Sequence, residues 1–143
     1  MPVPERVLEA NARFAEGFHK GDAQLPPNLP LAVLTCIDAR LQPSRFLGLE
    51  IGDAHVVRNA GGRATDDALR SLIISSQLLG TRQFMVIHHT DPGMLTSPNE
   101  DIWTKLESET GTSASSIDFL PFSDVDVTGW INDTTSGRLR AVE

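Results

Sequence analysis

A chain of 143 residues is one domain's worth, long enough to bury roughly two-thirds of the surface its unfolded form exposes. Twelve Lys and Arg against nineteen Asp and Glu give a formal net charge of -7 and a pI near 5.0, and the scattered cations exclude the basic face that a nucleic-acid partner requires. No window is long and apolar enough for a membrane span, the N-terminus lacks an apolar signal core, and one cysteine excludes an internal disulfide, so the expected setting is cytoplasmic and the expected partner a small molecule.

Residues 4 to 19 place Val7, Leu8, Ala12, Ala15 and Phe18 at helical spacing, which predicts an amphipathic helix ending near Gly21; QLPPNLP then forms a stiff connector. LAVLTC (31 to 36) is short and apolar, the profile of a strand buried on both faces, and AHVVRNA (54 to 60) repeats it. In GGRATDDALRSLIISSQLLG, Thr65 is the expected N-cap, Asp66 and Asp67 favour the first turn of a helix, and Gly80 stops it. QFMVIHH (83 to 89) reads as a third buried strand. SPNEDIWTKLESETG predicts a helix with Ser97 as N-cap, Pro98 at its first position, Glu100 completing a capping box and Gly111 as stop. VDVTGWINDTTSGRLRAVE predicts two strands around a polar turn at a sheet edge.

Alternating strands and helices predict a single α/β domain over 1–143, with a mostly parallel central sheet flanked by helices and a C-terminal edge hairpin. Ligands of such sheets bind outside the C-terminal ends of the strands. There the sequence sets Cys36, Asp38 and Arg40 after the first strand. Arg58 and Asn59, with Gly61 and Gly62, follow the second, and His88, His89 and Asp91 follow the third.

These residues lie in CIDAR (36 to 40), VVRNAGG (56 to 62), DDALRSLIISSQLLGTR (66 to 82), HHTD followed by GML (88 to 95), and VTGWINDTTSGRL. In that order the stretches resemble the β-class carbonic anhydrases over nearly the whole chain. The resemblance implies that Cys36 and His89 hold zinc together with a second cysteine at position 92, and that carbon dioxide is hydrated by a zinc-bound hydroxide. Asp38, paired with Arg40, would orient that hydroxide, or else swing onto the metal and shut the site. Asn59, Gly61 and Gly62 would shape the crevice for carbon dioxide or bicarbonate. A homodimer is implied, with the helix at about 4–19 as its dimerisation arm.

Position 92 is Pro92, which has no ligand atom. The stretch TSASSIDFLPFSD is also too short and too rich in Ser and Pro for the further helix that relatives carry. A degenerate zinc site, with zinc weakly held or absent and hydration weak or lost, is therefore the leading expectation. Three alternatives stay open: a zinc lyase using Cys36, Asp38 and His89; an enzyme using Cys36 as a thiol nucleophile; and a non-catalytic binding homologue. The bland readings are that Cys36 fills core, that Asp38 and Arg40 only anchor a loop, and that Asp91 caps a turn.

Overall fold

The structure, a computed structural model, describes residues 2–90, 98–113, 115 and 130–141. Five strands form one sheet: β1 (Leu31–Cys36), β2 (His55–Asn59), β3 (Gln83–His89), β4 (Trp130–Asn132) and β5 (Leu139–Ala141), in the spatial order β2-β1-β3-β4-β5. The first four run parallel and β5 returns antiparallel on β4, as expected of a parallel sheet closed by an edge hairpin. The helices are α1 (Val3–Glu16), α2 (Pro43–Phe46), α3 (Asp66–Leu79) and α4 (Asn99–Thr110).

Burial is unequal along this sheet. Central β1 contributes Ala32, Val33, Leu34 and Thr35 to the core, joined by Ile87 of β3, Leu41 and Ala68 of α3. The expectation that β2 would be buried on both faces is corrected: its residues alternate, with Val56 and Arg58 exposed. Position explains the difference, because β1 has a strand on each side whereas β2 lies at the sheet edge. The first residues of β3 are likewise exposed.

Local chemistry explains the helix ends. Thr65 accepts from the backbone N–H of Ala68 as N-cap of α3, and Gly80 ends the helix at a φ of 77°, a conformation that costs glycine little. Gly111 ends α4 in the same way. The start of α4 lies one residue later than predicted, with Pro98 in the cap position; Ser97 falls outside the described residues. Helix α1 stops at Gly17 rather than near Gly21, and none of its residues is buried. A hydrogen-bonded chain from Thr81 Oγ1 through Ser75 Oγ to His55 Nδ1, 2.7 Å at each step, ties the end of α3 to the start of β2. No described helix is long and apolar enough to cross a membrane.

Candidate metal centre

The parallel register brings the predicted residues to one end of the sheet. Cys36 is level with Asn59 across β1 and β2, and His89 is level with Asn132 across β3 and β4. A parallel sheet leaves such strand ends open to the loops that follow them. Cys36 is a free thiol and is 7% exposed.

His89 carries the most informative geometry. Its ring Nδ1 is 2.9 Å from the carbonyl oxygen of Thr90, which can only accept, so Nδ1 carries the proton and donates. In the neutral ring Nε2 is then a bare lone pair. That atom is buried and finds no hydrogen-bond partner among the described residues, and the side chain as a whole is only 2% exposed. Buried polar atoms are nearly always satisfied, so an orphaned one calls for a ligand or a function. A backbone carbonyl that fixes one nitrogen while the other stays free is how metal-binding histidines are commonly held.

Asp38 and Arg40 form a tight pair, as the two-residue spacing suggested. The Arg40 guanidinium donates from Nε to both carboxylate oxygens at 3.0 and 3.2 Å and from Nη2 to Oδ2 at 2.8 Å, while the Arg40 backbone N–H donates to Oδ1 at 2.9 Å. These bonds, the guanidinium's above all, hold the Asp38 carboxyl well below the usual carboxylate range. Asp38 is thus ionised under all ordinary conditions. Its Oδ2 lies 3.9 Å from His89 Nε2.

The donor set can be tested against zinc on these distances. Two nitrogen and oxygen donors sharing a tetrahedral zinc sit about 3.4 Å apart, given bond lengths near 2.1 Å. Asp38, anchored by Arg40, is wider than that, and no described group of three or more His, Cys, Asp or Glu is arranged to hold a metal. A soft thiolate at Cys36 and the bare Nε2 of His89 do fit zinc. The expected role of Asp91 and the place of Pro92 fall outside the described residues, as does the shortened stretch after Gly111 apart from its first residues and Ser115.

The remaining predicted residues shape the backbone. Asn59 accepts at Oδ1 from the Arg63 N–H at 2.7 Å and donates from Nδ2 to the Arg63 carbonyl at 2.6 Å, closing the loop around the 3₁₀ turn Ala60–Gly62. Gly62 has a φ of 64°, and a Cβ there would lie 2.9 Å from the Thr35 carbonyl carbon and 3.0 Å from the Cys36 nitrogen. Arg58 donates to the carbonyls of Cys36 and Asp38. His88 is half-buried, and burial, followed by the positive charge of Arg63, pushes its pKa down.

Two supports were missed in the sequence. Thr35 Oγ1 donates to the Ile87 carbonyl at 2.7 Å, pinning β1 to β3, and the Thr134 N–H donates to Thr90 Oγ1 at 3.1 Å, tying the hairpin to the residue that orients His89. A threonine within a strand or turn gives no sequence signal of such a partner. An open cavity of about 660 Å³ beside the start of α3 is lined by Arg63, Ala64, Thr65, Asp66 and Asp67, and so includes none of Cys36, Asp38 or His89.

Comparison with known proteins identifies the family and the fold. The sequence profile described as carbonic anhydrase matches residues 31–118. The chain is 48% identical over 111 residues to β-carbonic anhydrase 1 of Mycobacterium tuberculosis, covering 78% of this chain and 68% of that one. It is 45% identical over 78 residues to a carbon disulfide hydrolase of Acidianus, covering 54% and 38%. Among solved structures, the carbonic anhydrase of Streptococcus mutans superposes with a TM-score of 0.88 at 37% identity, covering 100% of this chain and 99% of that one.

Proposed function

Belonging as it does to the β-class carbonic anhydrase family, this chain is, we propose, a carbonic-anhydrase-like protein whose zinc site has lost one donor and whose hydration of carbon dioxide is weak or lost. The observation that carries this reading is Pro92, which stands where the family pattern His-x-x-Cys puts its second cysteine. Proline has no side-chain donor and no backbone N–H, so no rotamer at that position supplies a ligand.

Cys36 and His89 would hold the metal, which when bound supplies a Lewis acid that makes water acidic enough to react near neutral pH. The chain's own residues prepare for that chemistry. The Thr90 carbonyl keeps the proton of His89 on Nδ1 and leaves Nε2 free to bind. Arg40 keeps Asp38 ionised and aimed, so its carboxylate accepts a hydrogen bond near the site and orients whichever oxygen donates it. Substrate is carbon dioxide or bicarbonate, bound in the crevice beside Asn59, Gly61 and Gly62.

A zinc lyase built on Cys36, Asp38 and His89 requires Asp38 to leave part of its Arg40 pairing and approach His89 by about half an ångström. Using the carboxylate as a ligand would also remove it as an acceptor. The thiol-nucleophile reading is disfavoured by His89 Nε2, which has no hydrogen-bond partner and so does not hydrogen-bond to Cys36.

A homodimer in the cytoplasm, with α1 as its dimerisation arm, completes the reading. Its support is that α1 buries no residue in the single chain and leaves Val3, Val7, Leu8 and Phe14 exposed. The test is elemental analysis of protein purified without chelator, with carbon dioxide hydration followed on the same sample. Zinc is expected well below one per chain, with little hydration and ready loss of metal to a chelator. One zinc per chain that survives chelator dialysis, with brisk hydration, contradicts the proposal and favours the three-ligand lyase.

A further inference from the structure

The backbone around Cys36 is gripped from the side by the segment that runs from β2 into the 3₁₀ turn. Arg58 Nε donates to the Cys36 carbonyl at 2.9 Å, and its Nη2 donates to the Asp38 carbonyl at 2.8 Å. Between those two, the Ile37 N–H donates to the Asn59 carbonyl at 3.0 Å. Gly62 presses against the Thr35–Cys36 peptide from the same segment. Of these groups, Arg58 alone bonds to both residues that bear reactive side chains.

We propose that Arg58 is a positioning residue, a bracket that holds Cys36 and Asp38 in fixed relation at the strand end before any metal arrives. A guanidinium presents its donors in a rigid planar fork, so one side chain can fix two carbonyls two residues apart. A lysine is a point donor on a flexible stem and keeps only part of that restraint. Fixing the loop beforehand removes the ordering cost that metal capture would otherwise meet, which matters most in a site short of a donor. The metal half of this inference rests on the proposed roles of Cys36 and His89; the bracket itself does not.

The test uses the full chain with Arg58→Ala and Arg58→Lys. Cobalt(II) is titrated and followed by its thiolate charge-transfer absorption, and Cys36 alkylation by iodoacetamide is timed without metal. Arg58→Ala should weaken cobalt binding about tenfold, as loss of a supporting partner of a metal ligand typically does. It should also speed alkylation about threefold as the loop opens locally. Arg58→Lys should recover part of both at a near-parental melting temperature. Parental cobalt affinity and alkylation rate in Arg58→Ala overturn the proposal. So do variants whose cobalt affinity and alkylation rate change only in step with their melting temperatures, since that pattern marks general support of the fold. If the parent gives no charge-transfer signal, the metal reading falls, and the alkylation rates alone decide the bracket: faster in Arg58→Ala upholds it, unchanged removes it.

Discussion

Asp38 shows how much one neighbour does. Its carboxylate takes a backbone bond and the guanidinium fork from the same residue, Arg40, so two positions of sequence create both a loop anchor and a fixed acceptor. Arg40→Ala should lower stability by about 1 kcal/mol, the modest end for charge-assisted bonds because solvent screens a guanidinium that is half exposed. In melting temperature that is about 2–4 °C. The pH dependence has a definite sign. A carboxyl whose pKa is lowered by folding stabilises the native state above its unfolded value and loses that contribution as pH falls through the folded one. Parent and Arg40→Ala should therefore differ by a constant amount from neutral pH down to near the ordinary value of 3.8, with the gap closing in stronger acid. Melting scans across that range check it, and equal melting temperatures at neutral pH would show that the pair does not anchor the loop. CIDAR made the pair legible. Nothing in the sequence showed that His89 Nε2 would be orphaned, because its Nδ1 is satisfied by a backbone carbonyl, which every residue has.

At the scale of elements, Gly62 decides how closely the 3₁₀ turn approaches the end of β1. Gly62→Ala meets two costs: a left-handed φ that disfavours a side chain by about 1–2 kcal/mol, and a Cβ driven against backbone that cannot swing aside, worth about 1–3 more. Gly80→Ala carries only the first, since nothing lies within 4 Å of the added carbon. Urea denaturation should therefore place the Gly62→Ala midpoint well below that of Gly80→Ala, and matching midpoints would show that the Thr35–Cys36 peptide yields. Helix α3 could be read in full because Thr65 and Gly80 mark its ends by distinct physical means. The burial of β2 was misread because periodicity cannot report which strand ends at an edge; Val56 looks as apolar in sequence as Val33, yet one is exposed and the other wholly buried.

Across the whole molecule, the parallel order β2-β1-β3-β4 is what gathers residues distant in sequence at one end of the sheet; alternating strands and helices made the parallel sheet legible, though not the order of its strands. The sheet alone does not account for α1, whose apolar side chains stay exposed along with Leu69, Ile73 and Leu78 of α3. Exposed apolar side chains on two helices are what the proposed dimer interface would cover. If the chain is the proposed homodimer, deleting residues 3–16 should convert it to a monomer, read by light scattering on a sizing column, and an unchanged mass would remove α1 from the interface.

The most direct measurement is zinc per chain, after dialysis against a chelator, in the parent and in Pro92→Cys. The substitution restores His-x-x-Cys on a chain that keeps Cys36, Asp38, Arg40 and His89. Proline fixes its own φ near -65° and restricts the residue before it, limits that a cysteine does not impose. The binding energy of a structural-strength zinc site, about 10–16 kcal/mol in small domains, is ample to offset the ordering that a restored ligand requires. The parent should retain much less than one zinc per chain and Pro92→Cys should retain close to one, with carbon dioxide hydration recovering less fully than the metal. A parent that keeps its zinc through the chelator, or a Pro92→Cys chain that holds no more than the parent, would contradict the proposal that this site lacks a single donor.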